Sequence, residues 1–167
     1  MPLRMDSKMP PLEGGTEWFN SAPLDQSYFD NSPTLIHFWS VSCHSCKDSL
    51  PDVERWIDTY TPQGLKLVSV HMPRQESDTN IEGVKEAIEE YHIKQPCVVD
   101  NWHTIADAYQ NKFVPAYYIF DQEGKLRHFQ AGEKAAKMVE PVIQRVLAAS
   151  GDQGVGESQV AETAVSE

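Results

Sequence analysis

The sequence has few cysteines, a deficit of basic residues and no long apolar run, and each shortage excludes a class of protein. Three cysteines among 167 residues are too few for a secreted scaffold held together by disulfides. Lys and Arg number 14 against 25 Asp and Glu, a formal net charge of -11. An acidic surface repels phosphates, so we expect neither nucleic acid nor an anionic membrane as a partner. No apolar run approaches the roughly 20 residues that a membrane helix needs.

Both ends of the chain are expected to lie outside one folded domain at residues 16–150. Residues 1–15 contain three prolines and two glycines, which favour a flexible, extended leader. They lack the apolar stretch of a secretory signal, so the expected location is the cytoplasm. Residues 151–167 carry four acidic and no basic residues, which predicts a disordered acidic tail.

The apolar periodicity between the two ends predicts strands that alternate with helices. The first apolar run, Thr34 to Trp39, is typical of a strand buried on both faces. Further strands are predicted at 65–71, 96–99, 116–120 and 125–130, and helices at 46–60, 81–91, 103–109 and 134–148. Pro141 should kink the last helix or lie in its first turn. The pattern predicts an α/β fold with a central mixed β-sheet covered by helices on both faces.

The most informative segment is FWSVSCHSCK at residues 38–47, which places a C-x-x-C pair where the buried strand meets the next helix. Unpaired backbone N–H groups and the helix dipole favour negative charge there. Because a thiolate is the nucleophile in thiol–disulfide exchange, this position should lower the pKa of Cys43 and activate it. Cys46, in the first helical turn, can then attack a mixed disulfide on Cys43. We expect Cys43 to be accessible to solvent.

With these residues the chain resembles the thioredoxin superfamily, and within it the TlpA/ResA-like thiol–disulfide oxidoreductases, over roughly residues 18–148. The resemblance also rests on Pro51 in the helix after the cysteines, on Val114-Pro115 before a strand, and on an extra helix and strand at 81–99. It implies a thioredoxin-like fold with an inserted helix–strand unit. It also implies a cis-proline loop at Val114 and Pro115 that faces the dithiol and binds the substrate peptide.

The resemblance implies disulfide-containing proteins as substrates and an upstream partner protein that reduces the dithiol again. We expect a monomer that needs no metal, flavin or nucleotide, because the dithiol itself holds the two electrons. Trp39 is expected to shape the rim beside the dithiol and, with His44 and Ser45, to contact the substrate. A His beside the nucleophile can be cationic and favour the thiolate of Cys43, which predicts a weaker reductant than thioredoxin.

His37 departs from the family pattern, since thioredoxin has a buried acidic residue at this strand position. Two interpretations stay open. A neutral imidazole can exchange a proton with Cys46 through a water, or His37 is a half-buried strand histidine without a role. Cys97 is expected to be a small core residue, and a resolving thiol only if it is exposed.

Two alternatives to the disulfide chemistry also stay open. A peroxiredoxin-like thiol peroxidase would use the same cysteine, although Ser40 is a weak substitute for the framing threonine of that family and Ile36 stands where its proline would be. A copper- or zinc-binding module without enzymatic activity would use Cys43, Cys46 and a histidine. The sequence contains no second C-x-x-C to supply further ligands, so no metal site is expected.

Overall fold

The computed structural model describes residues 3–158, and their side chains as far as residue 150. The strands are β1 Glu17–Phe19, β2 Thr34–Trp39, β3 Lys66–His71, β4 Cys97–Val99, β5 Ala116–Phe120 and β6 Leu126–Ala131. The helices are α1 His44–Tyr60, α2 Ile81–Glu90, α3 Thr104–Ala108 and α4 Ala136–Ser158. Short 3-10 turns lie at Gln26–Phe29, Thr61–Gln63 and Glu76–Thr79.

The six strands form one mixed sheet in the order β1-β4-β3-β2-β5-β6. Strands β2, β3 and β4 run parallel, whereas β1, β5 and β6 pair antiparallel with their neighbours. The predicted fold class is confirmed, and α2 with β4 forms the predicted additional helix and strand. The parallel strands all end at the edge of the sheet where β5 begins. The loops after β2 and β3 and the loop before β5 therefore meet at that edge.

Helices cover both faces of the sheet, so the alternate side chains of β2 enter different cores. Ile36 and Phe38 face the core that contains Tyr109 and Tyr118. Leu35 faces the opposite side, in a cluster with Val53 and Trp56 of α1. Trp39, on that same side, packs with Cys46 and Leu50, also from α1. His37 lies between Leu35 and Trp39 in sequence and on the same face, so its ring lies beneath α1.

The N-terminal segment packs against the domain, so the expectation of a loose leader is wrong for residues 3–15. Met9 and Leu12 are buried and belong to the main core cluster. Gly15 allows the backbone to approach the sheet, because a Cβ there would lie 2.2 Å from the side chain of Val98. A glycine that predicted a flexible leader instead permits this close packing.

The last helix is longer than its pattern predicted. Its backbone continues to Ser158, where the sequence predicted a disordered tail from residue 151. Adding residues to a helix that is already formed costs less than starting a new one, although Gly151, Gly154 and Gly156 each disfavour the extension by about 1 kcal/mol. Residues 159–167 lie outside the described residues, so for them the tail stays a prediction. Pro141 lies inside α4, beyond its first turn. In the described part of the chain, no helix combines the length and apolar character needed to span a membrane.

Candidate active site

Cys43 and Cys46 lie at the N-terminus of α1 and are joined by a disulfide bond. Cys43 is the N-cap residue, with extended backbone angles of φ -99° and ψ 110°, and α1 begins at the next residue. Its Sγ accepts a hydrogen bond from the backbone N–H of Cys46 at 3.0 Å. The predicted position of the pair, between a buried strand and a helix N-terminus, is confirmed. Backbone N–H groups at a helix N-terminus favour negative charge, so we expect this position to favour a thiolate at Cys43 once the disulfide is reduced.

Both sulfurs are covered in this oxidised form. Cys43 is 1% exposed and Cys46 is 0% exposed, so the expectation that Cys43 is open to solvent is wrong for this form. Its Sγ lies 3.5 Å from the Oγ of Ser45 and 3.7 Å from the carbonyl oxygen of Val114. The covering loop is the one at Val114 and Pro115 that the resemblance placed opposite the dithiol, but the sequence did not predict that this loop would bury the sulfur. Attack on the disulfide requires these groups to move aside.

The loop at Val114 and Pro115 lies beside the dithiol, where the resemblance implied it. The peptide bond between the two residues is cis. Pro115 is buried, and its carbonyl oxygen accepts a hydrogen bond from the N–H of Gly132 at 3.0 Å. The Val114 side chain packs against the main core cluster and the cluster that contains both cysteines. The loop is therefore held in place on one side of Cys43.

The prediction that Trp39 lies on the rim of the site is wrong. It is 0% exposed and packs edge-on against His71, with 5.0 Å between the ring centroids. The Trp39 side chain points into the core and not toward solvent, because it lies on the face of β2 that is covered by α1, the helix that carries the dithiol. Trp39 therefore supports the cysteines from below and does not contact a substrate.

The two residues between the cysteines lie at the surface. The His44 side chain is 91% exposed, and its Nε2 lies 3.4 Å from the carboxylate of Asp48. Ser45 is partly exposed, with its hydroxyl turned toward the sulfur of Cys43. Both residues are placed where a molecule that approaches the dithiol would meet them.

His37 is fully buried, although one of the two interpretations from the sequence had it half-buried. It is 0% exposed, and burial lowers its pKa to about 3. Its ring stacks on Tyr117, with 5.2 Å between the centroids and 18° between the planes. The Nδ1 atom lies 2.8 Å from the hydroxyl of Ser69, on the neighbouring strand. Nε2 has no hydrogen-bond partner in the part of the chain whose side chains are described, residues 3–150.

A chain of hydrogen bonds fixes which nitrogen of His37 carries the proton. The Oε1 atom of Gln95 accepts from the N–H of Lys94, so the Gln95 amide nitrogen donates to the hydroxyl of Ser69 at 2.8 Å. The Ser69 hydroxyl, in turn, has only His37 as an acceptor in the described region. It donates to Nδ1, which leaves the proton of the neutral ring on Nε2. His37 therefore presents an unpaired N–H beneath α1.

The sequence analysis missed a buried carboxylate on the other side of the dithiol. Asp78 is 2% exposed, and its Oδ2 accepts hydrogen bonds from the hydroxyls of Ser40 and Ser42 at 2.9 and 2.7 Å. The N–H of Arg74 donates to the same oxygen at 2.9 Å. Burial raises the pKa of Asp78, but these hydrogen bonds outweigh burial and hold the pKa below its ordinary value. The two serines within the motif were the only available signal.

Two further buried groups lie near the site. His71 is 0% exposed, burial lowers its pKa to about 4, and its Nε2 accepts from the N–H of Val41 at 3.1 Å. Cys97 is a buried free thiol in the same cluster as the dithiol, and burial raises its pKa to about 12. The prediction that Cys97 is a core residue is confirmed. Among the side chains of residues 3–150 no group of three His, Cys, Asp or Glu could hold a metal ion.

Known proteins resemble this chain both in sequence and in architecture. Residues 6–129 match the model of the AhpC/TSA family. The thiol-disulfide oxidoreductase YkuV of Bacillus subtilis is 46% identical over 146 residues, which are 87% of this chain and 98% of YkuV. The thiol-disulfide oxidoreductase ResA of Halalkalibacterium halodurans is 22% identical over 112 residues, 67% of this chain and 61% of ResA.

A solved structure extends the comparison to three dimensions. The solution structure of a thioredoxin-like protein in its oxidised form superposes with a TM-score of 0.81 at 45% identity, covering 88% of this chain and 99% of the other. The fold expected from the resemblance is confirmed. These relatives favour neither the peroxidase nor the metal-binding alternative. The chain belongs to the AhpC/TSA family of thioredoxin-like proteins and is a thiol–disulfide oxidoreductase.

Proposed function

We propose that this oxidoreductase reduces or exchanges disulfide bonds in other proteins, with Cys43 as the nucleophile and Cys46 as the resolving residue. The observation that carries the proposal is the hydrogen bond from the Cys46 N–H to the Sγ of Cys43 at the N-cap of α1. In the reduced protein the same N–H stabilises the attacking thiolate. Cys43 precedes the helix and Cys46 lies within its first turn, so we propose that a substrate meets Cys43 first.

The exchange has two steps. The Cys43 thiolate attacks one sulfur of the substrate disulfide, which forms a mixed disulfide and releases the other substrate sulfur as a thiolate that takes up a proton. Cys46 then loses its proton, attacks the Sγ of Cys43 and releases the second substrate thiol. The substrate gains two electrons from the two cysteines and two protons, one released by Cys46 and one taken from solvent. A dithiol partner protein returns them by the same steps in reverse.

The substrate contacts are proposed to come from both sides of Cys43. The carbonyl of Val114 lies 3.7 Å from the sulfur, so a peptide joined to Cys43 must pass along the loop of Val114 and Pro115. On the other side, His44 and Ser45 form the exposed surface of the first helical turn. These four residues support recognition of an extended peptide around the substrate cysteine.

His37 is proposed to assist Cys46 from beneath. The ring lies on the face of β2 that α1 covers, and its Nε2 has no hydrogen-bond partner among the described residues. We propose that the N–H at this atom donates a hydrogen bond through a water to the sulfur of Cys46. A donor of this kind stabilises the thiolate that resolves the mixed disulfide. Because the ring is neutral and already carries its proton on Nε2, it acts as a hydrogen-bond donor and not as the base considered from the sequence.

We propose that the protein is located in the cytoplasm and is a monomer. Two of the three cysteines form the redox pair, and proteins of a reducing compartment use few structural disulfides. The large exposed apolar side chains lie on separate segments, at Met5, Tyr28, Trp102, Phe113 and Met138. Cell fractionation and size-exclusion chromatography test the two statements; recovery in the extracytoplasmic fraction or elution as a dimer would contradict them.

Insulin reduction tests the proposed reaction. The wild-type protein with dithiothreitol should precipitate insulin chains faster than dithiothreitol alone, and Cys43→Ser should lose this activity. Cys97→Ala is the matched control, because it removes a thiol that the reaction does not use. Cys46→Ser should trap a mixed disulfide through Cys43, detectable by mass spectrometry. Insulin reduction by Cys43→Ser at the wild-type rate would overturn the proposal, as would consumption of hydrogen peroxide in preference to insulin.

A further inference from the structure

The loop that carries Cys43 is held almost entirely from one neighbouring segment, the end of β3 and the turn that follows it. Ser40 and Ser42 donate their hydroxyl hydrogens to Asp78. Between them, the N–H of Val41 donates to His71. The N–H of Cys43 closes the loop by donating to the carbonyl of Ser40 at 3.1 Å. Each residue from 40 to 43 thus has a fixed hydrogen-bond partner.

Asp78 is the centre of this arrangement. One of its carboxylate oxygens accepts three hydrogen bonds, two from the loop and one from the N–H of Arg74. The Arg74 guanidinium also donates to the carbonyl of Ser42 at 3.3 Å, so the same turn holds the loop by its backbone. A carboxylate buried to this extent is stabilised only while its donors stay in place.

We propose that Asp78 is a positioning residue for the dithiol: through Ser40 and Ser42 its carboxylate fixes the loop that keeps the Sγ of Cys43 within reach of Cys46. The proposal rests on the proposed exchange between these two cysteines. The equilibrium constant for forming a disulfide rises with the effective concentration of one thiol at the other, and this concentration is higher when both thiols are held firmly in place. Loosening the loop should therefore disfavour the Cys43–Cys46 disulfide relative to the dithiol.

The equilibrium between dithiol and disulfide against dithiothreitol tests this inference without any protein substrate. Asp78→Ala removes the acceptor, whereas Asp78→Asn removes the charge but keeps an oxygen that can accept hydrogen bonds from the loop. Both variants lose the charge, so the difference between them reports the acceptor and the side-chain volume and not the charge. Glu76→Gln is the control, because it removes an exposed charge from the same turn without a contact to the loop.

Asp78→Ala should lower the equilibrium constant for disulfide formation by roughly fivefold or more. Asp78→Asn should stay within about twofold of the wild type, and Glu76→Gln should match it. If Asp78→Ala does not fold, Ser42→Ala removes one of the three hydrogen bonds at a partly exposed position and should give an intermediate loss. The inference is overturned if Asp78→Asn is as impaired as Asp78→Ala, or if the folded variants among Asp78→Ala and Ser42→Ala match the wild type. Insulin reduction can fail while this equilibrium behaves as expected, so the two proposals fail separately.

Discussion

The carbonyl oxygen of Val114 lies 3.7 Å from the Sγ of Cys43, although 71 residues separate the two in the chain. This contact covers the disulfide. Under the proposed function the same loop would also form one wall of the site that binds the substrate peptide. Its hold on the dithiol depends on the packing of Val114 against two core clusters.

Shortening the Val114 side chain should loosen this cover. Val114→Ala removes two methyl groups that anchor the loop, so glutathione should reduce the disulfide roughly two- to fivefold faster than in the wild type. The measurement is the rate of the intrinsic fluorescence change after mixing the oxidised protein with glutathione. Val142→Ala deletes the same atoms in a distant core position on α4 and should leave the rate unchanged. Equal rates for Val114→Ala and the wild type would contradict the role of the loop as a cover.

Replacing His37 should slow the second step of the exchange and spare the first. His37→Phe keeps a ring to stack on Tyr117 but removes the Nε2–H, so the Cys46 thiolate loses a hydrogen-bond donor. Resolution of a preformed mixed disulfide should slow by about tenfold at neutral pH, with its pH profile displaced to higher pH. Alkylation of Cys43 should proceed as in the wild type. A slower alkylation with normal resolution would contradict this assignment.

The two buried histidines predict that acid destabilises the protein well above the range where carboxylates titrate. Burial lowers the pKa of His37 to about 3 and that of His71 to about 4, whereas an unfolded His has a pKa of about 6.5. Between pH 6.5 and those folded values only the unfolded state binds the protons, so stability is full above pH 6.5 and falls as the pH falls.

Urea denaturation between pH 7.5 and 5 measures this effect. Each histidine contributes a slope of up to about 1.4 kcal/mol per pH unit in the free energy of unfolding. His37→Phe should remove one of the two contributions and reduce the slope by about half. A free energy of unfolding that does not change between pH 6 and pH 5 would contradict the buried, neutral state of the histidines.

Cys97 should neither react with alkylating reagents in the folded protein nor take part in disulfide exchange. Because burial raises its pKa to about 12, iodoacetamide should alkylate Cys97 only after the protein is unfolded. Peptide mass spectrometry of native and urea-treated samples distinguishes the two states. Alkylation of Cys97 in the native protein at a rate comparable to that of Cys43 would show that it is exposed.

The local patterns of the sequence predicted the elements and the dithiol because both depend on neighbouring residues. Thr34–Trp39 is a strand with the predicted bounds, and Cys43 caps the helix that follows it. The features that failed depend on contacts between distant segments. Cys43 is buried by Val114, which lies far along the chain. Met9 packs against a sheet whose strands come from residues that follow it in the sequence.

Two polar networks of the site were equally invisible in the sequence. Asp78 meets Ser40 and Ser42 only because parallel strands β2 and β3 end at the same edge of the sheet. His37 meets Ser69 through the register of those two strands. The sequence identified His37 as unusual, but which ring nitrogen carries its proton followed only from the contact of Ser69 with Gln95.

The ionisation of Cys43 in the reduced protein is the most direct test of the account. Thiolate absorbance at 240 nm, followed during a pH titration of wild type and of Cys43→Ser, gives the pKa of this thiol by difference. A sulfur at the helix N-cap that accepts the Cys46 N–H should have a pKa at or below about 7. A value near that of an ordinary free thiol, about 8.5, would contradict activation of Cys43 by the helix.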